Sequence, residues 1–213
     1  MLNNMIRIII ADDHEVLRVG VRQILQSNDH IEVVAEAESG EQAYELYNKL
    51  LPDILVMDMS MPGMGGLEAL RRVLAKDNNA RVIVFSMHHE VPYALQALSS
   101  GAQAYVCKSA GAKDLLTAIK KTMAGKTFLS SIVAEEIALK KLTGEYTAIE
   151  QLTAREFEVF CFLANGKKVT EISELLNISH KTVATYQTRI KKKLNIESPI
   201  DLLRTAIQFG IID

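Results

Sequence analysis

The sequence predicts a doubly wound α/β unit with a five-stranded parallel sheet, followed by a small all-α unit. Three observations point there. Five short apolar runs precede Lys108, and each stops at polar or turn-forming residues. A segment with helical spacing follows every run, the alternation expected of a parallel sheet and its crossover helices. From residue 148 onward no strand-like run recurs, and apolar residues keep to helical spacing.

Each element has its own signal. The run Ile6–Ile10 is β-branched and ends at Ala11-Asp12-Asp13; residues 14–27 then set Val16, Leu17, Val21, Ile24 and Leu25 on one stripe. Ile31–Ala35 is the second strand, and Ser39 caps a helix through Leu50 with Ala43, Leu46, Tyr47 and Leu50 inward. Ile54-Leu55-Val56-Met57 is continuously apolar, which suits a strand buried on both faces; it ends at Asp58, with Pro62 and Gly63 close behind. A helix over about residues 67–75 follows. Arg81–Ser86 makes the fourth strand, and Pro92–Ser100 a helix closed by Gly101. Ala104–Cys107 is the fifth strand, ending at Lys108; residues 112–124 form a helix with Leu115, Leu116, Ile119 and Met123 inward, stopped by Gly125. The division is residues 1–126, a linker at 127–147 and a second unit at 148–213. Within the linker, Ser130-Ser131 caps a helix through about Leu142, with Ile132, Val133, Ile137, Ala138 and Leu142 as its apolar stripe, ended by Thr143-Gly144.

Composition narrows the function classes. A chain of 213 residues with 48% hydrophobic and 23% charged residues reads as an ordinary soluble protein with room for two cores. The net charge of −2 gives no global sign of nucleic-acid binding. Residues 1–126 carry 13 Lys/Arg against 15 Asp/Glu, and 147–213 carry 9 against 8, so any basic surface must be local. Cys107 and Cys161 match no metal or redox spacing and sit among apolar residues, as buried reduced thiols of a cytoplasmic protein do. No signal peptide and no run of 18 apolar residues marks export or a membrane span.

Right-handed crossovers bring the carboxyl ends of all five strands to one edge, where ligands of open α/β sheets bind. That edge collects Asp12 and Asp13, Asp58, Ser86 and Lys108. Singly, each has an ordinary reading: a helix cap, a solvated strand end, a strand terminus, a loop charge. Together, three converging carboxylates repel one another and need a cation. Hard oxygen ligands with room for water suit Mg²⁺ better than Zn²⁺ or copper. A hydroxyl and an ammonium opposite them suit an anion carried on the third carboxylate, so the implied chemistry is phosphoryl transfer onto Asp58. His88 and His89 follow the fourth strand with no further ligands at metal spacing; their place near the pocket mouth fits an influence on which donors reach Asp58.

Asp12-Asp13, the run Met57-Asp58-Met59-Ser60-Met61-Pro62-Gly63, Ser86 and Lys108 resemble the receiver domain of two-component response regulators, over about residues 5–126. The resemblance implies a flavodoxin/CheY-like fold with Asp58 as phosphoacceptor. It also implies Mg²⁺ held by Asp12 (directly or through water), Asp13, Asp58 and the Ser60 carbonyl, with Lys108 and Ser86 stabilising the phosphoryl group. Ser86 matches the family's switch hydroxyl and Tyr105 its switch aromatic; Ser86 moving toward a phosphoryl oxygen vacates space into which Tyr105 rotates. Where many receivers have proline after the lysine, Ser109 stands here.

The second unit opens with a capping box, Thr153 to Glu156, on a helix through Ala164 closed by Asn165-Gly166. Residues 170–176 form a short helix, Asn177-Ile178-Ser179 a turn, and 180–194 a longer helix, the pattern of a helix-turn-helix. The long helix carries Lys181, Arg189, Lys191, Lys192 and Lys193 and no acidic residue. A charge run is more often a solvated face, but its place on the second helix of a helix-turn-helix outweighs that. Val183, Ile190 and Leu194 form its core stripe, leaving Lys181, Thr182, Thr185, Tyr186, Arg189, Lys192 and Lys193 to meet a groove. The strings LTAREFEVF, KVTEISELLNIS and KTVATYQTRIKKKLNI resemble the LuxR/NarL-type DNA-binding domain. That implies a third helix entering the major groove of double-stranded DNA and a fourth, about Pro199–Phe209, that dimerises through Leu202, Leu203, Ala206 and Ile207. Tyr186, KVTEISELLNIS and MDMSMPGMGGLEAL together look like the GacA/UvrY/LetA branch of these regulators. The branch implies a sensor histidine kinase of the hybrid kind as partner and genes for small regulatory RNAs as targets; a homodimer when phosphorylated is expected of the regulator, with RNA polymerase as a further candidate partner.

The expectation is therefore a phosphorylation-controlled transcription factor that accepts phosphate without being a turnover enzyme. Two other classes compete. An aspartyl-phosphate phosphatase shares the Asp nucleophile and Mg²⁺ but needs a second acid two residues on, where Ser60 stands. A phosphorylation-independent DNA-binding protein has no use for the intact Asp12, Asp13, Asp58, Ser86 and Lys108 set.

Overall fold

The computed structural model describes residues 5–143 and 148–212, with side chains to residue 139 and again from residue 148. It begins with β1 (Ile6–Ala11), α1 (Glu15–Gln26), β2 (Ile31–Ala37) and α2 (Gly40–Leu50). It continues through β3 (Ile54–Met57), α3 (Gly66–Lys76), β4 (Val82–Ser86), α4 (Val91–Ser99), β5 (Ala104–Cys107) and α5 (Ala112–Met123). Then come β6 (Phe128–Leu129), α6 (Ser131–Thr143), α7 (Ala154–Ala164), α8 (Val169–Leu175), α9 (His180–Leu194) and α10 (Pro199–Gln208). No helix among the described residues is long and apolar enough to cross a membrane. Contacts group the chain into two units, Met1–His88 with Ser100–Ser130, and His89–Ser99 with Ser131–Asp213. Helix α4 thus falls with the second unit, although it lies before residue 126 in the sequence.

In the first unit the sheet order is β2-β1-β3-β4-β5-β6, every pairing parallel. Strand alternation explains the two faces. Ile8, Ile10, Ile54, Val56, Ile83, Phe85 and Val106 point one way and pack with Val21 and Leu25 of α1 and Leu115 and Ile119 of α5. The sequence expectation of five strands needs one correction: Phe128–Leu129 pair with Ala104–Tyr105 as a sixth. Two residues are too few to show a period, and their partner lies over twenty positions back. Helix α2 starts where expected, with the Ser39 hydroxyl accepting the Gln42 N–H at 3.3 Å. Gly66 is required by close approach: a Cβ there would strike the Asp58 carbonyl oxygen and the Met59 Cα.

The second unit is built on Phe157, Phe160, Ile172, Val183, Ile190 and Ala206, all at or below 1% exposure. The Thr153 capping box forms: Thr153 Oγ1 accepts the Glu156 N–H at 3.3 Å and Glu156 Oε2 the Thr153 N–H at 2.8 Å. Asn177 turns the chain at φ 50°, and the Ser179 hydroxyl caps α9 by accepting the Thr182 N–H at 3.1 Å. Ser198, with Asp201 and Pro199 at its first turn, caps α10 in the same way. Of the stripe expected on α6, Val133 is buried and Ile137 half-buried, while Ile132 and Ala138 are exposed; the Leu142 side chain and Gly144 lie outside the described residues. Cys107 and Cys161 are both free and buried, as expected.

Candidate functional site

Register builds the pocket. Ala11 pairs with Met57, and Ser86 with Cys107, so the residues at the strand ends meet at one edge. Asp12 and Asp58 are 4% and 3% exposed there, Ser86 is fully buried, and Asp13 is exposed. The Lys108 ammonium lies 2.8 Å from Asp58 Oδ2 and 2.7 Å from Asp12 Oδ2, bridging the two buried carboxylates. Burial alone would lower the Lys108 pKa; the Asp58 and Asp12 carboxylates outweigh it and raise the value, so the charge is kept. The second Asp58 oxygen, Oδ1, accepts the Met59 N–H at 2.7 Å. The Lys108–Ser109 peptide, like every described peptide, is trans.

One side of the pocket is ready for a cation. Ligand atoms of Asp12, Asp13, His14 and Asp58 lie within 4.8 Å of one another. Three carboxylates open to water on one side fit a hard ion such as Mg²⁺. His14 is the member that sequence reasoning passed over. Its Nδ1 lies 3.2 Å from Asp12 Oδ1 and 2.9 Å from Asp13 Oδ1, a position its neighbouring carboxylates alone hint at.

Opposite, the loop after β4 ties Ser86 and Tyr105 together. The Ser86 hydroxyl accepts the His88 N–H at 3.3 Å, and the Tyr105 hydroxyl donates to the His88 carbonyl at 2.7 Å. Tyr105 is fully buried. Ser60 is held at the mouth, its hydroxyl 2.9 Å from His88 Nε2. His88 thus touches three of the sequence-predicted residues, while His89 is exposed beside it.

The second site is a face of α9. Lys181, Thr182, Thr185, Tyr186 and Arg189 line one concavity of 340 Å³ with Ser179, which brings five of the seven residues expected to meet DNA into one surface. Lys192 is exposed outside it. Lys193 also lies outside it: its ammonium donates to Glu156 Oε2 at 2.6 Å and to the Gln151 carbonyl at 2.9 Å. On α10, the expected dimer face is also redistributed. Ala206 is fully buried and Leu202 half-buried, whereas Leu203 and Ile207 are 44% and 54% exposed and Ile200 joins them at 61%.

An acidic strand-end pocket bridged by lysine, joined to a helix-turn-helix with a basic second helix, defines a phosphoacceptor regulator of DNA. The chain belongs to the response regulators: residues 8–120 match the response regulator receiver domain and residues 150–206 the bacterial regulatory proteins of the luxR family. It is 37% identical to the response regulator UvrY of Escherichia coli (strain K12) over 97% of this chain and 96% of that protein. It is 35% identical to the response regulator GacA of Pseudomonas aeruginosa over 98% of this chain and 99% of that one. Among solved structures it is similar to RcsB from Salmonella enterica serovar Typhimurium bound to promoter P1flhDC in the presence of the phosphomimetic BeF3⁻. There the identity is 29%, the TM-score 0.71, and the match covers 95% of this chain and 98% of that one.

Proposed function

We propose that Asp58 accepts a phosphoryl group from a histidine kinase, of the hybrid kind, and that this modification controls dimerisation and exposure of α9 for binding in the major groove of promoter DNA. The observation that carries the reading is the Lys108 ammonium bridging Asp58 and Asp12 beside a cation-ready cluster. An Asp58 carboxylate oxygen forms the new P–O bond while the donor's P–N bond breaks, and the electron pair returns to the leaving imidazole. Lys108 shifts from Asp58 to a phosphoryl oxygen, and Ser86 donates to another, where charge gathers. Asp12, Asp13, Asp58 and the Ser60 carbonyl would hold Mg²⁺, which neutralises phosphoryl oxygens when bound. Reorientation of Ser86 alters the His88 N–H contact, and through the His88 carbonyl it reaches Tyr105. RcsB, bound to its promoter with a phosphomimetic present, supports carrying this logic to α9 here. RNA polymerase is the partner such an activator would recruit.

The test measures DNA affinity and sedimentation of the whole chain with and without Mg²⁺ and beryllofluoride, alongside Asp58→Asn. Beryllofluoride is expected to tighten DNA binding and shift the chain toward dimer, and Asp58→Asn to remove both responses together with labelling by acetyl phosphate. Labelling that persists in Asp58→Asn, or affinity and sedimentation indifferent to beryllofluoride, overturns the reading.

A further inference from the structure

Arg18 sits on α1 with its side chain only 7% exposed, and its partners lie at the pocket's edge. The β1–β2 ladder ends at the pair Ala11 and Ala37. Beyond it the Asp12 N–H still reaches the Ala37 carbonyl at 3.0 Å, but the Asp12 carbonyl projects past the last rung. The Arg18 guanidinium fills that place. Its Nη1 donates to the Asp12 carbonyl at 2.7 Å and its Nη2 to Glu38 Oε1 at 2.7 Å, one residue past the end of β2. Its Nε lies 3.5 Å from Glu36 Oε2, a carboxylate also paired with Arg22 at 2.7 Å. The planar fork therefore links the Asp12 main chain to the Glu38 carboxylate just past the last rung, a span that the single ammonium of a lysine does not match.

We propose that Arg18 is a positioning residue for the divalent cation: by holding the Asp12 peptide it keeps the Asp12 carboxylate aimed into the pocket. The proposal rests on the Mg²⁺ reading of that pocket. On the main chain the Asp12 N–H is fixed by the Ala37 carbonyl and the Asp12 carbonyl by Arg18; the carboxylate itself is steered by Oδ1 accepting the His14 N–H at 2.9 Å and Oδ2 meeting Lys108 at 2.7 Å. An incoming cation competes for those same oxygens. The main-chain hold is the part of the arrangement that survives ligation, and groups that orient a ligand govern affinity nearly as strongly as the ligand itself.

The experiment titrates Mg²⁺ calorimetrically into the full chain and into Arg18→Met, Arg18→Lys and Glu38→Ala, with circular dichroism confirming each fold. The expected loss of Mg²⁺ affinity is on the order of 10-fold or more for Arg18→Met, about 5-fold for Arg18→Lys and about 3-fold for Glu38→Ala. Glu38 has a 69% exposed side chain, so its variant keeps the question open to measurement even where both Arg18 variants unfold. In labelling by acetyl phosphate, the half-saturating Mg²⁺ concentration should rise while the rate at saturating Mg²⁺ holds, a split that a general loss of stability does not produce. Affinities within twofold of wild type in the folded variants overturn the proposal and leave Arg18 a structural tie. No Mg²⁺ binding by the wild-type chain overturns instead the reading of the pocket itself.

Discussion

At the scale of single residues, the pocket is as much a matter of missing atoms as of charges. Gly66 has no Cβ because the Asp58 carbonyl passes where one would stand, and its N–H donates to the Met59 carbonyl at 3.0 Å. Gly66→Ala should therefore cost about 1–3 kcal/mol in urea unfolding and also slow labelling of Asp58, since the backbone that must shift carries the acceptor. Unchanged stability would mean that the loop yields freely. Asp12, Asp13, Asp58, Ser86 and Lys108 were legible because each follows an apolar run, and a parallel sheet sends all such ends to one edge. Arg18 was not legible, since an arginine within a helical stripe looks like any solvated charge until its partners, Asp12 and Glu38, are placed in space. For Lys193 the sequence shows the charge and conceals the buried Glu156 that it pairs with.

At the scale of elements, that ion pair ties the end of α9 to the start of α7. Burial would raise the Glu156 pKa, but hydrogen bonds from Lys193 and Thr153 outweigh it and hold the carboxyl below its ordinary value. A depressed folded pKa gives stability that is present above the unfolded carboxylate value and is lost as pH falls through the folded one. Glu156→Gln should thus cost about 1–3 kcal/mol near neutrality, with the gap to wild type closing as pH drops below about 4. A gap that stays constant down to pH 3 would show that the charge contributes nothing. The helices were legible in order and nearly in extent, because capping residues such as Ser39 and Thr153 carry local signals. The short strand β6 carries none, as its only evidence is a distant partner. On α10 the helix was legible but not its outward face, since Ala206 and Leu203 are equally apolar in sequence and differ only in what covers them.

At the scale of the whole molecule, a chain of net charge −2 binds nucleic acid only through a localised cationic surface. Lys181→Ala and Arg189→Ala should each flatten the salt dependence of DNA binding by about one unit of log–log slope. Lys193→Ala should instead lower thermal stability and leave the slope near its original value. A slope change for Lys193→Ala as large as for Arg189→Ala would place its ammonium on the phosphate backbone after all.

The sixth strand bears on how copies of the chain can meet. With β6 in place, β5 is interior, and the sheet ends at β6 on one side and β2 on the other. An open strand edge is a template onto which another chain can add, and proteins blunt it by shortness or by charge. Here one edge offers only Phe128 and Leu129, and the other carries Glu32 and Glu36. Both edges thus discourage sheet extension from molecule to molecule, which protects the chain against strand-mediated aggregation.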